Sequence, residues 1–193
     1  MERQKPVETI IYGGAFNPPT LAHLAILQAC VEYARPRSAE VWIMPSGDRR
    51  DKTIAVDRER RLEYVTAMAD DAETEDVPVD LLLSELDRHV SVETYDTVLE
   101  LDEQFPDRSF TWVFGADSTE TMHDWKEGDW LLENLSMLAI EREGSRINPL
   151  AKRAMALTVP LLAVSSTMVR ARLAAHESVD DLVSPRVAEL LYK

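Results

Sequence analysis

Cysteine is nearly missing from this 193-residue chain, which holds one, Cys30. A disulfide framework and a thiolate zinc site are therefore excluded. Cys30 stands in the apolar run from Leu24 to Val31, where a buried structural thiol is expected rather than a nucleophile. Positive charge is also scarce: 21 Lys and Arg face 35 Asp and Glu, for a formal net charge of −14. A general grip on nucleic acid needs a basic face that displaces counterions, so no nucleic-acid partner is expected. No stretch of 18 consecutive apolar residues occurs, and no apolar h-region follows the charged start from Met1 to Lys5. The chain reads as having no signal peptide and no membrane partner, with the cytoplasm as its compartment.

What is present is ordinary globular composition, 45% apolar and 29% charged, without repeats or low-complexity linkers. The length suits one domain over residues 1–193. Short β-rich runs alternate with helical periodicity. Thr9–Tyr12, Val41–Met44, Val79–Leu83, Phe110–Phe114, Met137–Ile140 and Leu161–Val164 read as strands. Leu21–Tyr33, Asp57–Ala69, Thr94–Glu103, Asn148 to about Leu157, Ser166–Ala175 and Pro185–Tyr192 read as helices. The polar stretches Ser46–Thr53 and Asp71–Asp76 read as loops. Such alternation predicts an α/β, Rossmann-like open parallel sheet with helices on both faces. Sheets of that kind bind ligands at the carboxyl ends of their strands.

Two strand-to-helix junctions carry phosphate-binding chemistry. The first is Gly13-Gly14-Ala15-Phe16-Asn17-Pro18-Pro19-Thr20-Leu21-Ala22-His23. Its glycines allow a tight turn and close approach to a ligand. Thr20 can cap the helix, and His23 lies one turn in, where it can donate to a developing negative charge. The second is Val164-Ser165-Ser166-Thr167-Met168-Val169-Arg170. Its hydroxyls and free N–H groups gather at the positive end of a helix dipole, and Arg170 can reach the same anion. Taken singly, each is also compatible with a plain helix cap.

Together they resemble the two signatures of the HIGH-type nucleotidylyltransferase superfamily, Gly-Gly-(Thr/Ser)-Phe-(Asp/Asn)-Pro-x-(His/Thr)-x-(Gly/x)-His and Ile-Ser-Ser-Thr-x-x-Arg. Ala15 and Ala22 depart from the first signature. Thr20 is similar to the pyridine-nucleotide branch, the nicotinate (or nicotinamide) mononucleotide adenylyltransferases. Middle segments resemble that branch as well. Pro45-Ser46-Gly47-Asp48-Arg49-Arg50-Asp51-Lys52 matches a loop ending in a phosphate-side lysine, Lys52. Glu85 and Arg88, with Thr94, Asp96 and Thr97, match Glu-x-x-Arg … Thr-x-Asp-Thr, although Val90, Val92 and Glu93 replace the usual glycine and Ser-Tyr pair. Gly115-Ala116-Asp117 and His123-Asp124-Trp125-Lys126 complete the set.

The resemblance implies AMP transfer from ATP to nicotinate mononucleotide, giving deamido-NAD and pyrophosphate. It implies Thr20, His23, Lys52 and Arg170 as catalytic. Gly14, Ala15, Phe16, His23, Gly115, Asp117, Ser165, Ser166, Thr167 and Arg170 would hold ATP. Lys52, Arg88, Thr94 and Trp125 would hold the acceptor. Mg²⁺ would arrive with ATP and no resident metal is implied. Helices from about residue 166 to 193 would complete the ATP site. ATP and a pyridine mononucleotide are the expected partners, with a homo-oligomer also open. Trp130 is expected in the core. A carboxylate at Glu93 would repel the nicotinate carboxylate, which keeps nicotinamide mononucleotide or another phosphorylated acceptor open. A non-catalytic nucleotide-binding regulator is the reading from a different class.

Overall fold

The computed structural model describes residues 6–47, 56–72, 76–87, 93–141 and 144–193. Lys52, Arg88, Val90 and Val92 lie outside them, as do parts of the two polar stretches expected as loops.

The central strand is β1 (Val7–Gly14), with Ile10 and Ile11 both fully buried on opposite faces. A strand covered on both sides reads as a continuous apolar run, because successive side chains point to alternate faces. It is followed by α1 (Leu21–Ala34), β2 (Glu40–Pro45), α2 (Arg58–Asp70), β3 (Val79–Leu81) and α3 (Thr94–Gln104). Then come β4 (Arg108–Gly115), α4 (Ala116–Thr121), α5 (Gly128–Asn134), β5 (Met137–Ile140) and β6 (Ala154–Ala156), and finally α6 (Ser166–Ala174) and α7 (Pro185–Leu191).

All six strands are parallel, in the order β3-β2-β1-β4-β5-β6. The chain leaves β1 on one side and returns through β4 on the other. The β1–β4 seam is therefore the topological switch point, where a crevice opens beyond the carboxyl ends of the strands. One apolar cluster joins Ile10, Tyr12 and Val41 of the sheet to Leu27, Val65, Val169 and Val187 from α1, α2, α6 and α7. The other joins Ile11, Trp42 and Trp112 to Val98, Leu101, Leu131 and Leu132 from α3 and α5. The sheet is thus covered on both faces, as its alternating pattern predicts. Among the described residues, no helix is long and apolar enough to cross a membrane.

Three expectations change. The segment from Asn148 to Leu157 is a turn followed by β6, not a helix: Asn148 Oδ1 accepts from Leu150 N–H at 2.9 Å, and Ala154–Ala156 then pairs with β5. Leu161–Val164 is not a strand: among the described residues it pairs with none of the six, and Leu161 is 63% exposed. Trp130 is partly exposed and packs edge-on against Tyr95, with ring centroids 5.4 Å apart. Glu93 takes the cap position of α3.

Candidate functional site at the β1–β4 crevice

The loop after β1 is shaped by its own packing. A Cβ on Gly14 would sit 2.9 Å from the Phe16 ring, so glycine is required there by the chain itself. Phe16 adopts a left-handed φ of 45° and is fully buried, its ring edge-on to Tyr12 at 5.3 Å and to His23 at 5.4 Å. Phe16 can therefore meet a ligand only through its backbone. Ala15, beside it, offers a carbonyl that is already engaged by Arg61 Nε at 3.2 Å.

Thr20 is buried, and it holds His23 rather than facing outward. Its backbone N–H donates to His23 Nδ1 at 3.0 Å, and its hydroxyl lies 2.8 Å from the same nitrogen. Because a backbone N–H can only donate, Nδ1 must be the acceptor. The neutral imidazole then carries its proton on Nε2, the form that can donate to a phosphate oxygen. The first N–H of α1, on Leu21, is taken by the carbonyl of Leu182 at 2.9 Å. The Thr20 contacts thus fix the orientation of the His23 ring on the first turn of α1.

The second junction is clasped to the first. Ser165 caps α6, its Oγ accepting from Met168 N–H at 3.2 Å. Ser166 Oγ donates to the Pro18 carbonyl at 2.8 Å, and Arg170 donates to the Asn17 carbonyl at 2.6 Å. Arg170 also reaches Thr167 Oγ1 at 3.2 Å and remains exposed. The hydroxyl-bearing helix start and the guanidinium are therefore carried beside the first loop by direct hydrogen bonds.

Across the seam, Tyr12 pairs with Val113 in the last β1–β4 pair, while Gly13 and Gly14 stay paired with Met44 and Pro45 of β2. Asp117 is exposed in the first turn of α4. A Cβ on Gly115 would stand 2.2 Å from Asp117 Oδ1. The glycine is what lets that carboxylate fold back over the strand tip. Farther along, Trp125 is half-buried against Phe114, with centroids 5.9 Å apart. Lys126 Nζ pairs with Asp96 Oδ1 at 2.5 Å and lies 5.9 Å from the centre of the Tyr95 ring. The Asp96 hydrogen bond raises the Lys126 pKa first, and the charges of Asp96, Glu93 and Glu127 add to it. Thr97 is buried and donates to Glu85 at 2.8 Å, which makes that pair a structural tie between α3 and the segment after β3. Thr94 opens α3 half-buried.

Sequence reasoning missed Arg61. It is 3% exposed and reaches the carbonyls of Ala15 and Ser46. Its signal was available: Arg61, Val65 and Met68 share the i, i+4, i+7 stripe that α2 buries.

Comparison with known proteins agrees with this arrangement. The cytidylyltransferase-like family model matches residues 11–172. A chain named "Probable nicotinate-nucleotide adenylyltransferase" from Exiguobacterium sibiricum is 33% identical over 94% of both chains. A chain of the same name from Bacillus cytotoxicus is 32% identical over 84% of this chain and 83% of its own. The fold is similar to that of Plasmodium falciparum nicotinic acid mononucleotide adenylyltransferase complexed with NaAD. That likeness has a TM-score of 0.79 at 22% identity and covers 96% of this chain and 95% of the other. With two signatures clasped at the switch point of its sheet, this chain belongs to the cytidylyltransferase-like family and, within it, to the nicotinate-nucleotide adenylyltransferases.

Proposed function

We propose that this chain transfers AMP from ATP to nicotinate mononucleotide in the cytoplasm, as a step of NAD biosynthesis. One observation carries the reading: Ser166 and Arg170 are hydrogen-bonded onto the loop that presents His23, so three phosphate-binding groups converge at one strand end. An oxygen of the acceptor phosphate attacks the α-phosphorus of ATP. The bond to the β-phosphate bridging oxygen breaks, and pyrophosphate leaves in line. Such chemistry needs positioning and charge stabilisation more than acid–base help.

His23 Nε2–H and Arg170 stabilise charge on the phosphates, while Thr20 fixes the imidazole tautomer. The start of α6, Ser165 to Thr167, cradles phosphate oxygens. Gly14, Ala15 and Phe16 offer backbone to ATP, and Asp117 takes the ribose hydroxyls above Gly115. Trp125 and Thr94 meet the acceptor, with Lys52 and Arg88 as further cationic partners. Nucleotidyltransferases of this family use ATP with a divalent metal. Here Mg²⁺ enters as part of the substrate, keeping water ligands rather than a protein cage. The chain works as one domain whose residues from about 166 to 193 complete the ATP site, with self-association left compatible.

Glu93 favours nicotinamide mononucleotide as the second reading, because its carboxylate at the α3 cap opposes an anionic ring substituent. The deciding assay is pyrophosphate release with ATP, Mg²⁺ and each mononucleotide. Faster turnover with nicotinate mononucleotide is expected. The reverse order moves the acceptor assignment, and ATP binding without pyrophosphate from either moves the chain to a binding regulator. His23→Ala should cut turnover at least ~10²-fold; wild-type turnover in that variant removes His23 from the mechanism.

A further inference from the structure

We propose that Arg61 is a positioning residue for adenylyl transfer: its buried guanidinium bridges two separating loops and thereby holds His23 in its working pose. The inference rests on the reading above.

The helix α2 begins Arg58-Glu59-Arg60-Arg61, and the three arginines take different directions. Arg58 pairs with Asp87 on the surface. Arg60 pairs with Glu63 at 2.7 Å and reaches the Leu190 carbonyl. Arg61 turns inward and is 3% exposed. It arrives where β1 and β2 part. The last rung between them is Ser46 N–H to Gly14 O, at 2.8 Å. Beyond it the chain turns through Ala15 into the left-handed Phe16, and no strand continues the ladder. Arg61 takes up the next two carbonyls, Ala15 from Nε at 3.2 Å and Ser46 from its terminal nitrogen.

A forked guanidinium is suited to this, since it offers rigid, divergent donors that a lysine cannot reproduce. The held carbonyl belongs to the residue before Phe16, whose buried ring lies edge-on against His23. Displacement of Ala15 therefore passes through Phe16 to the imidazole. Burying a guanidinium is costly, and removing it alone takes this donor from the Ala15 and Ser46 carbonyls. Placed behind the loop that meets the phosphates, the same charge serves orientation.

The test is Arg61→Met, alone and combined with His23→Ala, with kcat, KM for ATP and the circular dichroism spectrum measured well below the melting point. A native spectrum with kcat lowered about 10–100-fold is expected, as for a misplacement near 1 Å. The His23→Ala effect should then shrink several-fold in the Arg61→Met background, since both changes act on one group. Wild-type kcat and KM in folded Arg61→Met overturns the proposal, and so does a double variant whose losses simply multiply. If Arg61→Met does not fold, Arg61→Lys carries the test with the same two readouts and a smaller loss. If the wild-type chain releases no pyrophosphate, the function above fails separately, and ATP affinity by calorimetry decides. Weakening by about tenfold or more in Arg61→Met supports the positioning role, and unchanged affinity overturns it.

Discussion

Gly115→Ala tests the proposed ribose contact at Asp117 apart from stability. The backbone at Gly115, φ −69° and ψ 149°, is open to alanine, so no conformational strain is added. The new methyl would stand 2.2 Å from Asp117 Oδ1, whereas ordinary contact begins near 3.4 Å, so the carboxylate must retreat by about 1.2 Å. Asp117 is exposed and its carboxylate can swing away. Leaving its rotamer costs about 0.5–1.5 kcal/mol at most. The loss of the proposed ribose contact at Asp117 is larger. A hydrogen bond to a charged group contributes about 1.5–3 kcal/mol, and each 1.4 kcal/mol is tenfold. KM for ATP should therefore rise about 10–100-fold while the melting temperature moves little. Pyrophosphate release across an ATP titration, beside a thermal melt, measures both. A wild-type KM would refute the ribose contact at Asp117, and a collapsed melting temperature would refute the claim that the carboxylate moves freely.

The neighbouring glycines should behave differently. Gly14→Ala presses a methyl to 2.9 Å from the buried Phe16 ring, and overpacking of this kind costs about 1–3 kcal/mol. Gly13→Ala meets Met44 Cε at an ordinary 3.6 Å and should be nearly neutral; equal denaturation midpoints for the two variants would contradict this. Burial pushes the Cys30 thiol up to about 12, so a thiol reagent at neutral pH should label the chain only as fast as it unfolds. Rapid labelling of the folded chain would show that Cys30 is reachable. Hydrogen bonds from Arg35 and Arg172 hold Asp76 and Asp181 below the usual carboxylate range. Their folded values lie below the unfolded ones, so their contribution is complete above about pH 4 and fades as pH falls further. Asp76→Asn should flatten the acid limb of the stability curve, and an unchanged limb would rule the pair out as a contributor.

The sequence patterns that proved legible were those in which local preference and burial agree. The β1 strand is apolar on both faces because both are covered, and α2 announces its start with Asp57, whose carboxylate accepts from Arg60 N–H at 2.8 Å. The cap Ser165 and the clasp partners Ser166 and Arg170 were visible as a helix start after an apolar run. The misreadings arose where longer-range pairing overrode local preference. Ala-Lys-Arg-Ala-Met-Ala favours a helix by propensity. The open edge of β5 instead draws that segment into a ladder, through Met137 N–H to Arg153 O at 3.3 Å and Leu157 N–H to Ala139 O at 2.9 Å. Leu161 and Leu162 read as part of a strand because they are apolar, yet both are exposed. The Thr20–His23 contact could be anticipated from spacing, but which ring nitrogen it fixes could not.

The clasp between the two signatures joins residues separated by 148 positions in one bond and 153 in the other. On the ribosome, β1 and the first loop emerge long before Ser166 and Arg170. A nascent chain ending at β5 would own the glycine loop and His23 but not the helix start that faces them. Nucleotide affinity should therefore arise late and abruptly during synthesis, once α6 has docked. ATP would then stabilise only finished molecules, by mass action, so nucleotide in the cell would act as a selective ligand for chains that have completed their fold.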